Sequence, residues 1–146
     1  MKDIFDCFML NVLCDYSHAH AKALKQNPSL DFPQSQPNFF ESLVPIEGGI
    51  ETVKYLKKSK DYEPYILTAP SEYNPLSYTE KRIWIERYLG FDFVERLIIC
   101  SNKGLLKGDV LIDDHISGKG QENFEGQLIH FGSKEFLNWI MVQKVL

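Results

Sequence analysis

The sequence predicts an α/β fold in which a Rossmann-like, mostly parallel sheet carries helices on both faces. Short runs of branched apolar residues, such as 97–99 and 110–112, are typical of strands that are buried on both faces. Stretches with helical spacing of apolar residues separate several of these runs. Strands that alternate with helices need crossover connections, and these connections make neighbouring strands parallel.

Strands and helices are expected to alternate along most of the chain. Five strands are predicted over 4–14, 65–68, 97–100, 110–113 and 127–131. Helices are predicted over 15–25 and 46–58, over 80–89 between a Thr79 cap and a Gly90 stop, and near the carboxyl end after a Ser133 cap. The first two connections between strands therefore contain helices, as crossovers require.

Length and charge limit the class of protein. The chain has 146 residues and a net charge of −4, which fits a single domain over 1–146. No block of basic residues is present, so duplex nucleic acid is not an expected partner. A phosphorylated small molecule is compatible with this charge, because a few local basic residues are enough to bind it.

Cysteine usage and the opening residues indicate a cellular compartment. Cys7, Cys14 and Cys100 are odd in number and widely spaced, which argues against a disulfide framework and a zinc site. The first residues resemble neither a signal peptide nor a membrane span, so we expect a cytoplasmic protein without a membrane partner. The sequence leaves the oligomeric state open, with a homodimer as one option.

Residues 27–45 form an irregular segment with unusual composition. Several prolines interrupt the segment, yet it contains Phe32, Phe39 and Phe40. Such a loop is too apolar for a disordered linker. It either covers part of the core or forms a wall over a binding site, and the sequence supports both alternatives equally.

Polar residues follow the predicted strands at the edge where their carboxyl ends meet. Asp113 and Asp114 are adjacent carboxylates, which favour either a divalent-metal site or a turn in which they accept hydrogen bonds from backbone amides. Thr68 and Lys103 lie at or just after the ends of two other strands. A hydroxyl, backbone amides and a lysine can hold a phosphate, and aspartates can hold magnesium. The ensemble therefore favours phosphoryl transfer.

Six sequence motifs carry a family resemblance. They lie over 66–71, 74–82, 97–104, 108–115, 117–121 and 128–132. In these motifs the chain resembles the bacterial-type 5'(3')-deoxyribonucleotidases of the haloacid dehalogenase-like superfamily, from about Val12 to the carboxyl terminus. The resemblance implies a Mg²⁺-dependent hydrolase that removes phosphate from deoxyribonucleoside monophosphates through an aspartyl-phosphate.

The resemblance also implies which residues bind the phosphate. Thr68 and Ala69 would bind phosphoryl oxygens, and Lys81 would be the catalytic lysine that neutralises the charge of the phosphate and the nucleophile. Lys103 would be a further lysine on the phosphate side. Without the resemblance, Lys81 would be assigned to the exposed face of a helix.

A metal site and a cap follow from the same resemblance. Asp113 would ligate Mg²⁺, and Asp114 would assist through the metal shell. A small cap, inserted after the first strand over about 16–45, would close on the base and sugar with three aromatic residues: Tyr16, Phe39 and Phe40.

The first catalytic motif of the family is absent from this chain. The family has an Asp-x-Asp-Gly turn directly before the residues that match 12–15, but this chain has Phe8, Leu10 and Asn11 at the aspartate and glycine positions. Neither Phe nor Leu can attack phosphorus, transfer a proton or ligate a metal. Asp6 lies two residues before the nucleophile position, about 6–7 Å away along an extended chain, so it would miss the phosphate.

Three interpretations of function follow. The chain is a phosphatase with impaired turnover, a nucleotide- or phosphate-binding protein without turnover, or a partner-binding domain. The abrupt departure over residues 1–11 indicates either a pseudoenzyme or an altered amino terminus, such as a frameshift or a misassigned start. The sequence does not separate these two origins.

Overall fold

The computed structural model describes residues 4–146, and it describes side chains from Asn11 onward. Its centre is one sheet of five strands: β1 (Ile4–Met9), β2 (Tyr62–Thr68), β3 (Leu97–Ile99), β4 (Val110–Asp113) and β5 (Gln127–His130). The strands are ordered β3-β2-β1-β4-β5, and every pair of neighbours runs parallel. The predicted α/β class with a parallel, Rossmann-like sheet is therefore confirmed.

The central strand β1 fixes the edge at which polar residues gather. Phe8 lies opposite Ile66 of β2 on one side and opposite Ile112 of β4 on the other. Thr68 ends β2 two residues beyond Ile66, and Asp113 ends β4 one residue beyond Ile112. The carboxyl ends of three adjacent strands thus meet at one edge, where ligands bind in sheets of this type.

The α-helices follow three of the strands, β1, β2 and β5. Within the described residues they are α1 (Leu10–Leu13), α2 (Tyr16–Gln26), α3 (Gly49–Lys58), α4 (Ser77–Leu89) and α5 (Trp139–Gln143). The predicted stop of α4 at Gly90 is confirmed, and the φ of 100° at this residue favours glycine. In residues 4–146, no helix has the length and apolar character needed to cross a membrane.

The first predicted strand is too long. The prediction over 4–14 is correct as far as Met9, but the next residues form the short helix α1. Val12 and Leu13 are fully buried in the core. Because a short buried helix and a buried strand are both continuous apolar runs, periodicity does not distinguish them.

The last helix begins later than predicted. The hydroxyl of Ser133 accepts a hydrogen bond from the backbone N–H of Phe136 at 3.3 Å, but this bond closes a turn and starts no helix. The cap of α5 is Asn138, whose side chain accepts a hydrogen bond from the N–H of Met141 at 3.1 Å. The prediction is wrong because a serine uses the same hydrogen bond in a turn and at a helix start.

Two apolar clusters cover the two faces of the sheet. Adjacent residues of a strand point to opposite faces. Ile66 and Ile112 belong to the larger cluster, to which α3, α4 and α5 also contribute. Leu67 and Leu111 belong to the smaller cluster, which Phe124 covers. Both faces are thereby shielded from water, as the continuous apolar strands predict.

Segment 27–45 serves both of the purposes that the sequence left open. Phe39 and Leu43 are buried in the larger cluster, and the indole N–H of Trp84 donates a hydrogen bond to the carbonyl of Leu43 at 2.8 Å. Phe40 also belongs to this cluster and at the same time lines a cavity at the sheet edge. The segment therefore covers the core and forms a wall; the assignment of 16–45 as a cap stays a prediction.

Candidate functional site

A cavity of about 410 Å³ lies at the carboxyl edge of the sheet. Its size falls within the range of small-molecule sites. Four parts of the chain line it: the loop after β2, residue Lys81 of α4, the loop after β4, and the amino-terminal third. The amino-terminal third contributes four residues: Asn11, Tyr16, Gln34 and Phe40. Residues that are distant in sequence therefore meet at the carboxyl ends of the strands, where the sequence predicts a site.

Lys81 brings a buried ammonium group to the wall of this cavity. The residue is 4% exposed, and its Nζ donates a hydrogen bond to the hydroxyl of Thr68 at 3.0 Å and another to the carbonyl of Ala69. Nζ also lies 4.8 Å from the ring centroid of Phe40. In residues 11–146, no carboxylate forms an ion pair with Lys81.

Burial changes the protonation of Lys81. The loss of water around the ammonium group lowers the pKa of Lys81 to about 8. Proximity to Cys14 opposes this shift, while the charges of Lys103 and Lys119 add to it. At neutral pH the group remains mostly protonated, so it presents a poorly compensated positive charge to the cavity.

A hydrogen bond fixes the loop after β2 against the helix that carries Lys81. The backbone N–H of Ser71 donates a hydrogen bond to the hydroxyl of Ser77, the first residue of α4, at 3.1 Å. The loop and the helix start are therefore held together. This contact explains why Thr68 and Lys81 meet although they are separated by a turn.

Lys103 and Asp113 form a fully buried ion pair beside the cavity. Nζ of Lys103 lies 2.5 Å from Oδ2 of Asp113, and both side chains are 0% exposed. The same oxygen accepts a hydrogen bond from the amide of Gln121 at 3.2 Å, and Oδ1 accepts one from the backbone N–H of His115 at 2.9 Å. Lys103 does not line the cavity, and its role in phosphate binding stays a prediction.

Asp114 is the acid of the pair whose carboxylate has spare acceptor capacity. Its Oδ1 is buried, and the contact of this oxygen is with Nδ1 of His115 at 3.2 Å. Burial raises the pKa of Asp114, and the charge of Asp113 adds to this shift, whereas His115 lowers it. A cation next to Asp114 would relieve the cost of this charge.

The remaining acids fit a magnesium ion. One ligand atom each from Asp113, Asp114 and His115 lies within 4.8 Å of the others. Mg²⁺ takes oxygen ligands, often only one or two carboxylates, and keeps several of its waters. The carboxylate of Asp114, whose Oδ1 contacts only the side chain of His115 within the described residues, suits this ion better than that of Asp113, whose two oxygens already accept hydrogen bonds. The metal-binding roles of both acids stay predictions.

The three aromatic residues that the sequence assigned to a cap lie together. The ring centroid of Tyr16 is 5.5 Å from that of Phe39 and 6.2 Å from that of Phe40. Tyr16 and Phe40 line the cavity, while Phe39 packs behind them. The wall opposite the strand ends is therefore apolar, which suits the flat face of a base or a sugar.

The positions of Phe8 and Leu10 are described only for the backbone. Phe8 lies in β1 in line with Ile66 and Ile112, and Leu10 begins α1 directly beyond the end of this strand. The side chains of Phe8 and Leu10 lie outside the described residues. Asn11, at the glycine position of the missing motif, lines the cavity.

Sequence reasoning missed several residues at the site. The loop after β4 contributes Ser117, Gly118, Lys119 and Gln121 to the cavity wall. The carboxylate of Glu80 holds segment 27–45 by accepting hydrogen bonds from the backbone N–H groups of Asn38 and Phe40. The position of 117–121 just after a predicted strand was a usable signal. No sequence signal pointed to the role of Glu80, because an acid in the first turn of a helix is already explained by its favourable interaction with the helix dipole.

A protein family and several known proteins are similar to this chain. The family described as 5' nucleotidase, deoxy (pyrimidine), cytosolic type C protein matches residues 12–140. A putative 5'(3')-deoxyribonucleotidase of Vibrio phage KVP40 is 40% identical over 106 residues, which is 73% of this chain and 61% of the relative. The 5'(3')-deoxyribonucleotidase of Bacillus subtilis is 30% identical over 118 residues, 75% of this chain and 66% of the relative.

A human protein also matches. The cytosolic-type 5'(3')-deoxyribonucleotidase of Homo sapiens is 38% identical over 86 residues, which cover 59% of this chain and 43% of the human protein. The matched part thus spans between 43% and 66% of the length of these three relatives.

Proposed function

Since the chain belongs to the family of cytosolic type C deoxy (pyrimidine) 5' nucleotidases, which has the haloacid dehalogenase-like fold, we propose that it binds deoxyribonucleoside monophosphates in the cavity at the sheet edge. Hydrolysis is lost or strongly impaired, because Phe8 and Leu10 occupy the two catalytic aspartate positions. The protein then belongs to a family of deoxyribonucleotidases but binds nucleotides with little or no hydrolysis.

The state of Lys81 is the observation that carries this proposal. A buried ammonium group without a carboxylate partner in residues 11–146 is unfavourable unless an anion comes close to it. The hydroxyl of Thr68 and the backbone after it lie next to Nζ. A phosphate at this point would accept charge-assisted hydrogen bonds from Lys81, which are stronger than neutral ones. Lys119 also lines the cavity, where its ammonium group lies 3.5 Å from a carboxylate oxygen of Glu72.

Magnesium is part of the proposal. When bound beside Asp113 and Asp114, Mg²⁺ would neutralise the negative charge of the phosphate. Asp114 would give the open carboxylate oxygen, and Lys103 would hold Asp113 in place through the buried ion pair. Without the two aspartates of the first motif, the affinity for the metal should be lower than in a complete site.

Turnover fails at the nucleophile. Hydrolysis through an aspartyl-phosphate needs a carboxylate that attacks phosphorus and a second acid that transfers the proton. Loss of a nucleophile from a cooperating set of catalytic groups costs on the order of 10⁶ in turnover. Binding does not need these groups, so Thr68 and Lys81 can hold a nucleotide that is not hydrolysed. The cytoplasmic location and a homodimer stay predictions.

Titration calorimetry with dUMP and dTMP, with and without Mg²⁺, tests the proposal. We expect binding, and the variant Lys81→Met should weaken it by about tenfold to a hundredfold, because a charged hydrogen-bond donor is lost. Lys54→Met, at an exposed lysine of α3, is the matched control and should bind as the unmodified chain does. Phosphate release should stay at the background rate that is measured in buffer without the protein.

Two results would contradict the proposal. No heat with either nucleotide, with and without Mg²⁺, would favour a partner-binding domain. Rapid phosphate release would show that another group replaces the missing nucleophile, and Asp6→Asn would then identify or exclude Asp6 as this group.

A further inference from the structure

Gln34 has an amide oxygen that lacks a hydrogen-bond donor. Its side chain lines the cavity, and its Oε1 is buried and accepts no hydrogen bond within the described residues. Buried acceptors nearly always have a donor, since they give up their hydrogen bonds to water. In residues 11–146 the other buried side-chain atom in this state is Oδ1 of Asp114, in the proposed metal-binding pair. Oδ1 of Asp114 has His115 Nδ1 at 3.2 Å, so among these two atoms Oε1 of Gln34 is the one for which no polar contact is seen in this part of the chain.

The backbone that carries Gln34 is held in place by the loop after β2. The amide of Asn74, which is 1% exposed, donates hydrogen bonds to the carbonyls of Gln34 at 2.9 Å and Gln36 at 3.3 Å. The rings of Phe32 and Tyr73 stack at a centroid distance of 3.9 Å and an angle of 10°. Two separate contacts thus fix the segment against the loop that follows Thr68, so the backbone position of Gln34 is preorganised.

A ligand that satisfies the amide oxygen of Gln34 has to carry a hydrogen-bond donor. A nucleotide with its phosphate at Lys81 would place its base against another part of the cavity wall, to which Tyr16 and Gln34 contribute. An ionised phosphate has no donor to offer, whereas uracil and thymine carry one ring N–H between two carbonyls. A glutamine amide has one acceptor and two donors, so it matches an N–H beside a carbonyl with two parallel hydrogen bonds.

We propose that Gln34 reads the base of the bound nucleotide: Oε1 accepts a hydrogen bond from the ring N3–H of uracil or thymine, and Nε2 donates one to a neighbouring carbonyl. This inference rests on the proposed function and adds its base specificity. A site that forms hydrogen bonds with a polar group strongly rejects an analogue without that group, because its own buried polar atoms stay unpaired. Gln34 is then a specificity-determining residue, and the phosphate residues supply affinity common to all nucleotides.

The test measures affinity on the full chain with three ligands: dTMP, its N3-methyl derivative, and 2-deoxyribose 5-phosphate, which has no base. We expect dTMP to bind at least about tenfold more tightly than either of the other two. Gln34→Met keeps the length of the side chain and removes the amide. This substitution should lower the affinity for dTMP by about tenfold, and it should change the affinity for 2-deoxyribose 5-phosphate by no more than about twofold. Gln36→Met, at an exposed glutamine of the same segment, should keep the affinities of the unmodified chain.

Each result decides between the inference and its alternatives. If the unmodified chain binds dTMP and its N3-methyl derivative equally well, the N–H is not read and the inference is wrong, whatever the variants do. Weaker binding of 2-deoxyribose 5-phosphate to Gln34→Met would mean that Gln34 contacts the sugar or supports the fold, which also overturns it. If none of the three ligands binds the unmodified chain, the proposed function itself fails, and base reading fails with it.

Discussion

A carboxylate oxygen of Glu80 accepts a hydrogen bond from the backbone N–H of Phe40 at 2.9 Å. The other oxygen accepts one from the N–H of Asn38 at 2.6 Å, and Glu80 is only 4% exposed. Glu80 precedes Lys81 on α4. The helix that brings the ammonium group to the cavity therefore also holds the aromatic wall in position, and the two walls of the cavity are mechanically coupled.

Glu80→Ala should destabilise the fold. Removing this carboxylate leaves the buried backbone N–H of Phe40 and the part-buried N–H of Asn38 without their acceptor, which should lower the free energy of unfolding by about 3 kcal/mol. Urea unfolding followed by circular dichroism measures the change. Glu86→Ala on the same helix is the control, since its exposed ion pair with Arg82 contributes at most about 1 kcal/mol. Equal losses in both variants would argue against a special role of Glu80.

The titration of Lys81 should appear in the pH dependence of stability. In the unfolded chain this lysine binds a proton up to its ordinary pKa of 10.5, but burial lowers its pKa in the folded state to about 8. Between these values the unfolded state binds more protons at Lys81, so this residue should contribute a rise of stability with pH over this window, against the opposite contribution of the buried Cys14 thiol, whose pKa burial raises. Lys81→Met should lose this rise. Urea unfolding at pH 7.5, 9 and 10 compares the two chains, and parallel curves would show that burial does not shift Lys81.

Nucleotide binding should respond to pH in the opposite direction. Only the protonated Lys81 attracts a phosphate, so affinity for dTMP should fall as the pH rises through about 8. Binding above this pH should take up protons, which calorimetry in buffers of different ionisation enthalpy detects. Lys81→Arg stays protonated over the whole range and should flatten the profile. A profile that is the same in both chains would assign the pH dependence to another group.

Breaking the buried ion pair of Lys103 and Asp113 should be more costly than replacing both residues. Lys103→Met leaves a buried carboxylate without its cation, and the free energy of unfolding should fall by about 3–5 kcal/mol. The double variant Lys103→Met/Asp113→Leu removes both charges and should recover part of this loss. Urea unfolding of the two single variants and the double variant gives the coupling energy; simple additivity would mean that the pair is not coupled.

Restoring the first motif should create a phosphatase. The triple variant Phe8→Asp, Leu10→Asp and Asn11→Gly supplies the nucleophile, the acid and the turn of the family motif, and Mg²⁺-dependent release of phosphate from dUMP should rise far above background. The matched control carries asparagine at positions 8 and 10 with the same glycine, and it should stay inactive. A folded triple variant that binds dUMP without turnover would mean that the rest of the site cannot support catalysis.

The sequence was sufficient for the sheet and for the place of the site. The strand Val110–Asp113 matches its prediction residue for residue, because an apolar run that ends in acids has a clear end. Gly90 likewise ends α4 as predicted. Thr68, Lys103 and Asp113 were expected at one edge, and parallel strands bring their ends together in any such sheet.

Contacts between distant segments were beyond the reach of the sequence. The bond from Glu80 to the backbone of Phe40 joins residues 40 positions apart, and no local pattern encodes it. The unpaired oxygen of Gln34 depends on the path of a proline-rich loop that long-range contacts with Asn74 and Tyr73 fix. Lys81 could be assigned to the site only through the family resemblance, because helical periodicity alone places it on an exposed face.

The register of Phe8 between Ile66 and Ile112 has an evolutionary consequence. Backbone hydrogen bonds hold this strand in the sheet whatever side chains it carries, so substitutions at its carboxyl end can switch off chemistry and leave the architecture intact. Loss of the two catalytic aspartates would therefore leave the positions of Thr68 and Lys81 in the fold unchanged.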